Sequence, residues 1–221
     1  MATRLLGPLN PRTLLVFGAG RQIEAHIDLL LRAFPSFESC TIVNRSQNSR
    51  TEALRADLQS RFPAVLFSLY GLESPDLQDV VSCADVICTA TPSRQPLFKS
   101  SWVKAGTHIN LVGSYTPEMM EVEADLLRRA GKLLVDSKEA CLLEAGEIIN
   151  AAVGLKDLVE VGEVIEQDGK AVSDAVQLLK RAGDVTIFKS VGVGLQDTVI
   201  TTKILEAAMS LGLGTRVNRY G

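Results

Sequence analysis

The chain has 221 residues, 46% of them hydrophobic, and a formal net charge of -3. That length can bury one substantial core and a small appendage, but not two full-sized domains. The charge and the lack of a basic stretch argue against nucleic acid as a partner. No apolar run reaches the roughly 20 residues of a membrane span, and residues 1–8 lack the apolar stretch of a secretory signal. The expected location is therefore the cytosol.

Side chains that could hold a metal ion are few. The cysteines are Cys40, Cys83, Cys88 and Cys141. They form no CxxC pair and lie near no histidine pattern, which indicates reduced, mostly buried thiols rather than a zinc site or a disulfide framework. Only His26 and His108 could supply imidazole, which excludes a histidine-rich centre and gives a Ser-His-Asp hydrolase little support. We therefore predict no metal.

Short apolar runs alternate with segments of helical spacing through most of the chain. In the first such segment, Ile23, Ile27 and Leu30 recur on one helical face. Strands that alternate with helices predict a mostly parallel sheet covered on both faces, the doubly wound α/β class of Rossmann type. The predicted strands are Thr13–Phe17, Cys40–Val43, Ala64–Leu69, Asp85–Thr89, Thr107–Val112, Lys132–Val135 and Val185–Lys189.

Caps and periodicity predict where the later helices lie. Two helices are expected to start at Ser74-Pro75 and at Thr116-Pro117, the second ending near Gly131. No repeat or linker marks a domain boundary, and the glycines at 192 and 194 are the best place for one. Further helices are predicted at Ser137–Leu143, at Leu155–Gln167 and, as a long amphipathic helix available for an interface, at Leu195–Leu211.

A glycine turn, Gly18-Ala19-Gly20-Arg21-Gln22-Ile23, separates the first predicted strand from its helix. In a dinucleotide-binding turn the first glycine permits the tight bend, and the second lets a pyrophosphate approach the helix N-terminus. Ile23 stands where the fingerprint has a third glycine or alanine, and a lone GxG also fits an ordinary turn. The position between a strand and a helix favours dinucleotide binding.

The tip of the second strand reads Asn44-Arg45-Ser46. An acidic residue at this place binds the ribose hydroxyls of NAD, whereas an arginine accommodates the 2′-phosphate of NADP. Arg45 can pair with a phosphate or stack on this end of the cofactor, and no carboxylate at the tip would repel it. An Asx turn with a solvated arginine is the alternative. The tip favours NADP(H) over NAD(H).

Two further strand ends carry small or polar residues. Thr89-Ala90-Thr91-Pro92 closes the fourth strand, and Val112-Gly113-Ser114-Tyr115 follows the fifth. Small residues let a cofactor lie across the carboxyl edge of the sheet, and this glycine and serine would suit a nicotinamide ribose. Each segment is equally compatible with a plain exit from a strand into a loop.

Taken in order, these segments resemble the ornithine cyclodeaminase/μ-crystallin family from about Thr13 to about Thr202. Members of this family depend on NAD(P). They include cyclodeaminases, alanine dehydrogenases and ketimine reductases, and several are homodimers. Each matching piece is short, but their order and spacing are specific. The pieces are Gly18–Gln22 with His26, Asn44–Ser46, Ala84–Thr91, Gly106–Gly113, Val135–Ser137, Gly162–Ile165, and Thr186–Gly192 with Asp197.

The resemblance implies cofactor contacts along the strand ends and makes His108 part of a family strand rather than a catalytic base. It divides the chain into an NAD(P)-binding domain, residues 1–194, and a C-terminal helical segment of the substrate and dimerisation domain, residues 195–221. The residues implied are Arg21, Gln22, Asn44, Arg45, Ser46, Thr89, Val112, Ser114, Ser190 and Val191. The motifs add Gly18, Gly20, Ala90, Thr91 and Gly113 to this predicted cofactor site.

Two departures from the family bear on activity. Cyclodeaminases carry a proton-transfer aspartate where Tyr115 aligns, and a phenol titrates at about 10, so ornithine cyclisation is disfavoured. Family members also have a long N-terminal segment that holds the substrate carboxylate, whereas Met1 stands almost at the first strand. The apolar residues of the last helix then need cover from a second copy in a dimer or from a second polypeptide: Ile204, Leu205, Ala208 and Leu211.

The expected function is an NADPH-dependent reductase that moves hydride to the imine carbon of a small α-imino acid, cyclic ones included. Tyr115 is the expected proton donor or orienting group. Lys189 and Asp197 match family positions and are the other catalytic candidates, with structural ion pairs as the alternative. Glu144 and Glu147 are expected on a solvated helix face. A noncatalytic nucleotide-binding protein, or a fragment that needs a partner for its substrate half, is the alternative function.

Overall fold

Eight parallel strands form one sheet in the part of the chain that the computed structural model describes, residues 1–166, 169–215 and 217. Their order across the sheet is β3-β2-β1-β4-β5-β8-β6-β7. The predicted α/β class and its doubly wound parallel sheet are confirmed. The strands are β1 Thr13–Phe17, β2 Ser39–Asn44, β3 Leu66–Gly71, β4 Val86–Thr89, β5 His108–Leu111, β6 Leu133–Val135, β7 Leu158–Glu160 and β8 Thr186–Lys189.

Helices fill most connections between the strands. In the first, Ile23, Ile27 and Leu30 are buried as their spacing predicts. Among the described residues, no helix is both long and apolar enough to cross a bilayer. The helices are α1 Ala2–Leu6, α2 Arg21–Ala33, α3 Ser49–Arg61, α4 Leu77–Cys83, α5 Ala124–Ala130, α6 Lys138–Glu144, α7 Gly146–Asn150, α8 Ser173–Arg181 and α9 Gly194–Leu211.

Apolar side chains cover both faces of the sheet. Successive residues of a strand point to opposite faces, so Leu14 and Val16 belong to one core cluster while Leu15 and Phe17 belong to the other. This explains why β1 reads as an uninterrupted apolar run rather than an alternating one. The central strands are therefore rigid supports for the loops at their carboxyl ends.

The order of the strands creates a crevice at one edge of the sheet. From β1 the chain moves outward to β2 and β3 and then returns to the other side of β1 as β4. The loops that leave β1 and β4 therefore diverge above their carboxyl ends. In open α/β sheets this reversal of strand order is where ligands bind.

One predicted helix is wrong, and another begins later than predicted but ends at Ala130, beside Gly131, as predicted. Leu158–Glu160, inside the predicted helix Leu155–Gln167, is the edge strand β7 and pairs with β6; Gln167 itself lies outside the described residues. The short run Leu158-Val159 fits a strand as well as a buried helix, which explains the error. Thr116-Pro117 begins no helix, because α5 starts only at Ala124. The intervening loop instead pairs with the segment that follows β4, through a bridge between Arg94 and Met120.

The chain divides into two compact units, Met1–Val191 and Gly192–Gly221. The second unit contains α9, which ends at Gly212 in the left-handed conformation (φ 65°) that favours glycine. At 100° per residue the apolar side chains lie all around α9 rather than along one stripe, so the predicted amphipathic pattern is wrong. None of its residues is buried. The large exposed apolar ones are Leu195, Val199, Ile200, Ile204, Leu205, Met209 and Leu211.

Candidate functional site

A cavity of about 560 Å³ opens at the crevice between β1 and β4. That volume is within the usual range for a small-molecule or cofactor site. Its wall is formed by the carboxyl ends of β1, β2 and β4 and by the loops that follow them. The structure thus brings together the predicted cofactor residues Gly18, Gly20, Asn44, Arg45, Ala90 and Thr91. Their contact with a cofactor stays a prediction.

The turn after β1 requires glycine at its first position. Gly18 has φ +110°, and a Cβ there would lie 3.0 Å from the carbonyl oxygen of Ala90 and 3.2 Å from Ile23 Cγ1. Gly20 is the N-cap of α2 and supplies no side-chain hydrogen bond to the first turn. The N–H groups at the start of this 13-residue helix therefore stay available to an anion.

The tip of β2 has a local side-chain turn and an exposed arginine, the alternative that the sequence analysis named, and phosphate binding by Arg45 stays a prediction. Asn44 Nδ2 donates to the carbonyl oxygen of Ser46 at 3.0 Å, so a local side-chain turn exists, and Arg45 is exposed beside it. Asn48 follows as the N-cap of α3, accepting hydrogen bonds from the N–H groups of Arg50 and Thr51. The local turn therefore leaves the Arg45 side chain exposed and available to a ligand.

Three arginines line the cavity, Arg45, Arg50 and Arg94, and no aspartate or glutamate is among its lining residues. A guanidinium nitrogen of Arg50 lies 3.9 Å from the Cβ position built at Gly20, so this cation reaches the glycine turn. The sequence analysis missed Arg50 and Arg94. Arg50 stands in a helix with an ordinary polar pattern, and only the helix cap at Asn48 could have directed attention to it.

Behind the cavity wall lies a buried carboxylate that the sequence analysis also missed. Glu121 is fully buried. Its Oε1 accepts hydrogen bonds from the Thr91 N–H at 2.7 Å and the Thr91 hydroxyl at 2.8 Å. Its Oε2 accepts from the Thr89 hydroxyl at 2.6 Å and the Gly113 N–H at 2.7 Å. Burial raises the pKa of Glu121, and these four hydrogen bonds oppose that rise.

The same contacts explain two predicted residues. Thr89 has no exposed surface, and its hydroxyl is bound to Glu121. A Cβ at Gly113 would lie 2.2 Å from the carbonyl oxygen of Thr91 and 2.4 Å from Glu121 Oε1, so only glycine fits. The predicted small residues at these strand ends therefore allow the ends of β4 and β5 to approach each other closely.

The predicted catalytic residue Lys189 lies at the end of β8 and has no exposed surface. Its Nζ donates to the carbonyl oxygen of Ser114 at 2.6 Å and lies 3.1 Å from Glu147 Oε1. Neither oxygen of Glu147 has a hydrogen-bond partner among the described residues, so this is an ion pair without an aligned hydrogen bond. The expectation that Glu147 is solvated is wrong, because α7 turns it into the core; Glu144 is exposed as expected.

Other predicted residues are held by the protein itself. The Ser114 hydroxyl is buried, donating to the Met119 carbonyl at 2.9 Å and accepting from the Gly146 N–H at 3.1 Å. The Ser190 hydroxyl and the Val191 N–H both donate to Asp136 Oδ2, at 2.7 and 3.1 Å. The polar groups of Ser114 and of the loop after β8 are therefore occupied by hydrogen bonds within the protein.

Other predicted residues of the first unit are not among those that line the main cavity. Arg21 and Gln22 are exposed in the first turn of α2, and Arg21 lines a neighbouring cavity with Gly20 and Arg50. Ser46 is exposed, and Val112 is half-buried after β5. Tyr115 is 51% exposed on the loop after β5. Asp197 belongs to the second unit, where it is exposed in the first turn of α9.

His108 is part of a buried polar network inside the first unit. One ring nitrogen lies 2.9 Å from the Thr186 hydroxyl and the other 3.3 Å from Asn110 Oδ1, and Asn110 in turn contacts Thr3. Burial lowers the pKa of His108 to about 4. The residue therefore has structural partners, as the sequence analysis expected when it set His108 aside as a base. The described residues contain no cluster of three or more potential metal ligands.

The sequence model of the ornithine cyclodeaminase/mu-crystallin family matches residues 1–212. The chain belongs to this family. It is 29% identical over 220 residues to a Delta(1)-pyrroline-2-carboxylate reductase of Bacillus cereus, covering 98% of this chain and 64% of that one. It is 30% identical over 207 residues to the ketimine reductase mu-crystallin of Mus musculus, covering 94% and 59%.

A solved structure shares the fold. Delta(1)-pyrroline-2-carboxylate reductase of Thermococcus litoralis, in complex with NADH and L-proline, superposes with a TM-score of 0.82 at 24% identity, covering 98% of this chain and 64% of that one. The chain thus spans 59–64% of the length of these relatives. The family and the Rossmann-type fold are established by these matches, and the resemblance seen in the sequence is confirmed.

Proposed function

We propose that the protein is an NADPH-dependent reductase of small α-imino acids, with cyclic ketimines as the preferred class. The observation that carries the proposal is the cavity at the β1–β4 crevice, whose wall contains three arginines and no carboxylate. A cofactor with a pyrophosphate and a further phosphate is the ligand that matches this charge. Relatives named as pyrroline-2-carboxylate and ketimine reductases support the substrate class.

The preference for NADPH over NADH rests on the end of the cavity near β2. Arg45 follows the strand tip, where the ribose 2′ position of a bound dinucleotide is recognised. Arg50 stands in the first turn of α3, where a cation is unfavourable beside the positive end of the helix dipole. A bound phosphate would offset that repulsion. The two arginines together favour a cofactor that carries a 2′-phosphate.

Bound NADPH would supply the hydride, and the chain would bind and orient both partners. The start of α2 would hold the pyrophosphate with its free N–H groups. The ends of β4 and β5 would support the nicotinamide half of the cofactor. Tyr115, half-exposed on the loop after β5, would orient the imine nitrogen or donate a proton to it. The catalysis would then come mainly from positioning.

The cofactor part of the proposal is tested by titrating the protein with NADPH and NADH while following nicotinamide fluorescence. We expect NADPH to bind more tightly. Arg45→Ala should weaken NADPH by about tenfold to a hundredfold, the loss of one charged hydrogen-bonding contact, and leave NADH nearly unchanged. Arg50→Ala should weaken both cofactors, because its guanidinium also reaches the glycine turn at which the shared pyrophosphate would bind. Equal binding of both cofactors by the unaltered chain would contradict the preference, and binding of neither would contradict the site.

The reaction is tested by the loss of absorbance of reduced nicotinamide when substrate is added. Pyrroline-2-carboxylate and piperideine-2-carboxylate are the cyclic candidates, and pyruvate with an amine is the acyclic one. We expect turnover with the cyclic imines. Tight binding of NADPH without turnover of any of the three would leave a nucleotide-binding protein and defeat the reductase proposal.

We further propose that the protein acts as a homodimer in which α9 is covered by the second copy. The support is that α9 carries apolar side chains on all sides and buries none of them, a pattern typical of helices that are enclosed in an assembly. Light scattering of the purified chain should give twice the monomer mass. A monomer that becomes dimeric only with a second polypeptide would contradict this assignment.

A further inference from the structure

We propose that Glu121 is a positioning residue that fixes the cavity wall on the side of the nicotinamide, and that cofactor affinity depends on it. The inference rests on the proposed dinucleotide function. It concerns a residue with no exposed surface, which therefore acts through its partners, Thr91 and Gly113. The proposal is that these partners adopt a cofactor-binding arrangement only while Glu121 holds them.

The contacts of Glu121 connect the segments that leave two paired neighbouring strands, β4 and β5, beyond the backbone hydrogen bond from the Val112 N–H to the Thr89 carbonyl. Thr89 and Thr91 belong to the end of β4, and Gly113 follows β5; all three donate to the carboxylate. Thr91 also lines the cavity. A shift of the carboxylate would therefore move the wall directly. The approach of the strand ends also depends on the missing side chain of Gly113, because any Cβ there would collide with Thr91 and Glu121.

The chemistry of the site requires a carboxylate. Each oxygen of Glu121 accepts a backbone N–H, from Thr91 on one side and Gly113 on the other. A glutamine would have to direct its NH₂ group at one of these N–H donors and leave a buried donor unpaired, which is costly. Charged side chains that are fully buried are usually paired with an opposite charge or a metal ion. Within the described residues the partners of Glu121 are instead neutral donors at the cavity wall.

The position of the wall indicates which half of the cofactor it serves. In a doubly wound sheet the pyrophosphate lies at the turn after the first strand, and the adenosine ribose lies at the tip of the second. The nicotinamide half then crosses to the other side of the first strand, where β4 and β5 end. Glu121 should therefore affect binding of the complete dinucleotide and have little effect on a fragment that lacks nicotinamide.

The test compares NADPH with 2′-phospho-ADP-ribose, which keeps the adenosine, pyrophosphate and 2′-phosphate groups. Calorimetric titration is applied to the unaltered chain and to Glu121→Gln, Thr89→Val and Glu118→Gln. Thr89→Val removes one donor to Glu121 at a residue without exposed surface, so its effect must pass through the carboxylate. Glu118→Gln is the matched control, since Glu118 is exposed on the same loop.

We expect Glu121→Gln to raise the Kd of NADPH by about tenfold or more, and Thr89→Val by a smaller factor in the same direction. The Kd of the fragment should stay within about twofold in both variants, and Glu118→Gln should change neither ligand. Unchanged NADPH binding in Glu121→Gln, or equal weakening of NADPH and the fragment, would overturn the inference. If Glu121→Gln does not fold, Thr89→Val decides by the same criterion. Failure of the unaltered chain to bind either ligand would instead defeat the proposed function.

Discussion

Replacing Lys189 with methionine would leave the charge of Glu147 buried without its partner. Neither side chain has any exposed surface, and the Lys189 Nζ is the cation that lies 3.1 Å from Glu147 Oε1. Removal of one partner from a buried ion pair typically costs about 3–5 kcal/mol of unfolding free energy. The lost hydrogen bond to the Ser114 carbonyl adds to this cost. For a protein of this size, the corresponding fall in melting temperature is about 6–20 °C.

The matched variant is Lys189→Met combined with Glu147→Leu. It replaces both charges with apolar side chains of similar size, a change that is often neutral or stabilising for a buried pair. Urea unfolding followed by circular dichroism should therefore show a large loss of stability for each single variant and recovery of most of it in the double variant. A double variant as unstable as the sum of the singles would refute the ion-pair reasoning.

The same double variant tests the predicted catalytic role of Lys189. If the lysine only fixes the Ser114 carbonyl, the folded double variant should bind NADPH with a Kd within about tenfold of the unaltered chain, because one hydrogen bond is lost. Turnover should fall by a comparable factor. A loss of turnover of about a thousandfold, with cofactor binding retained, is typical of a residue that transfers a proton and would support direct participation.

Three other variants or conditions give sharp outcomes. Gly113→Ala should fold poorly or lose cofactor binding, because its Cβ would lie 2.2 Å from the Thr91 carbonyl oxygen; normal melting and binding would argue against the close approach of β4 and β5. The pKa of His108 is about 4 in the folded chain and about 6.5 in the unfolded chain. The contribution of the neutral imidazole to the free energy of unfolding is therefore fully present above about pH 6.5. Up to about 3 kcal/mol is then lost as the pH falls toward 4, and His108→Gln should remove this part of the pH dependence in urea titrations. Tyr115→Phe should lower kcat by about tenfold or more while leaving the Kd of NADPH unchanged, and full turnover in this variant would remove Tyr115 from the mechanism.

The parts of the fold that could be predicted from the sequence depend on neighbours in the chain. The strand, glycine turn and helix at 13–33 are set by local apolar spacing and by a backbone conformation that glycine favours, as the φ of Gly18 shows. The position of Arg45 at the tip of β2 could be predicted because it directly follows a buried strand. In each case the sequence pattern and the structural cause lie within a few residues of one another.

The missed features depend on contacts between distant residues. Glu121 is 32 residues from Thr89 and 30 from Thr91, and nothing in the sequence around it distinguishes it from a solvated glutamate. Glu147 was misread for the same reason, because its partner Lys189 lies on another element. The edge strand β7 has only three residues, too few for periodicity to separate a strand from a helix. In each case, contacts with residues distant in the sequence determine the structure.

Two of the buried charged side chains contact the backbone of adjacent residues, Gly113 and Ser114. The carboxylate of Glu121 accepts the N–H of Gly113, and the ammonium of Lys189 donates to the carbonyl of Ser114. An acceptor and a donor of opposite charge therefore hold the segment that leaves β5 from two sides. The next residue, Tyr115, has an exposed side chain on a backbone that cannot shift freely. An exposed phenol on such a support would suit the substrate-orienting role proposed for Tyr115.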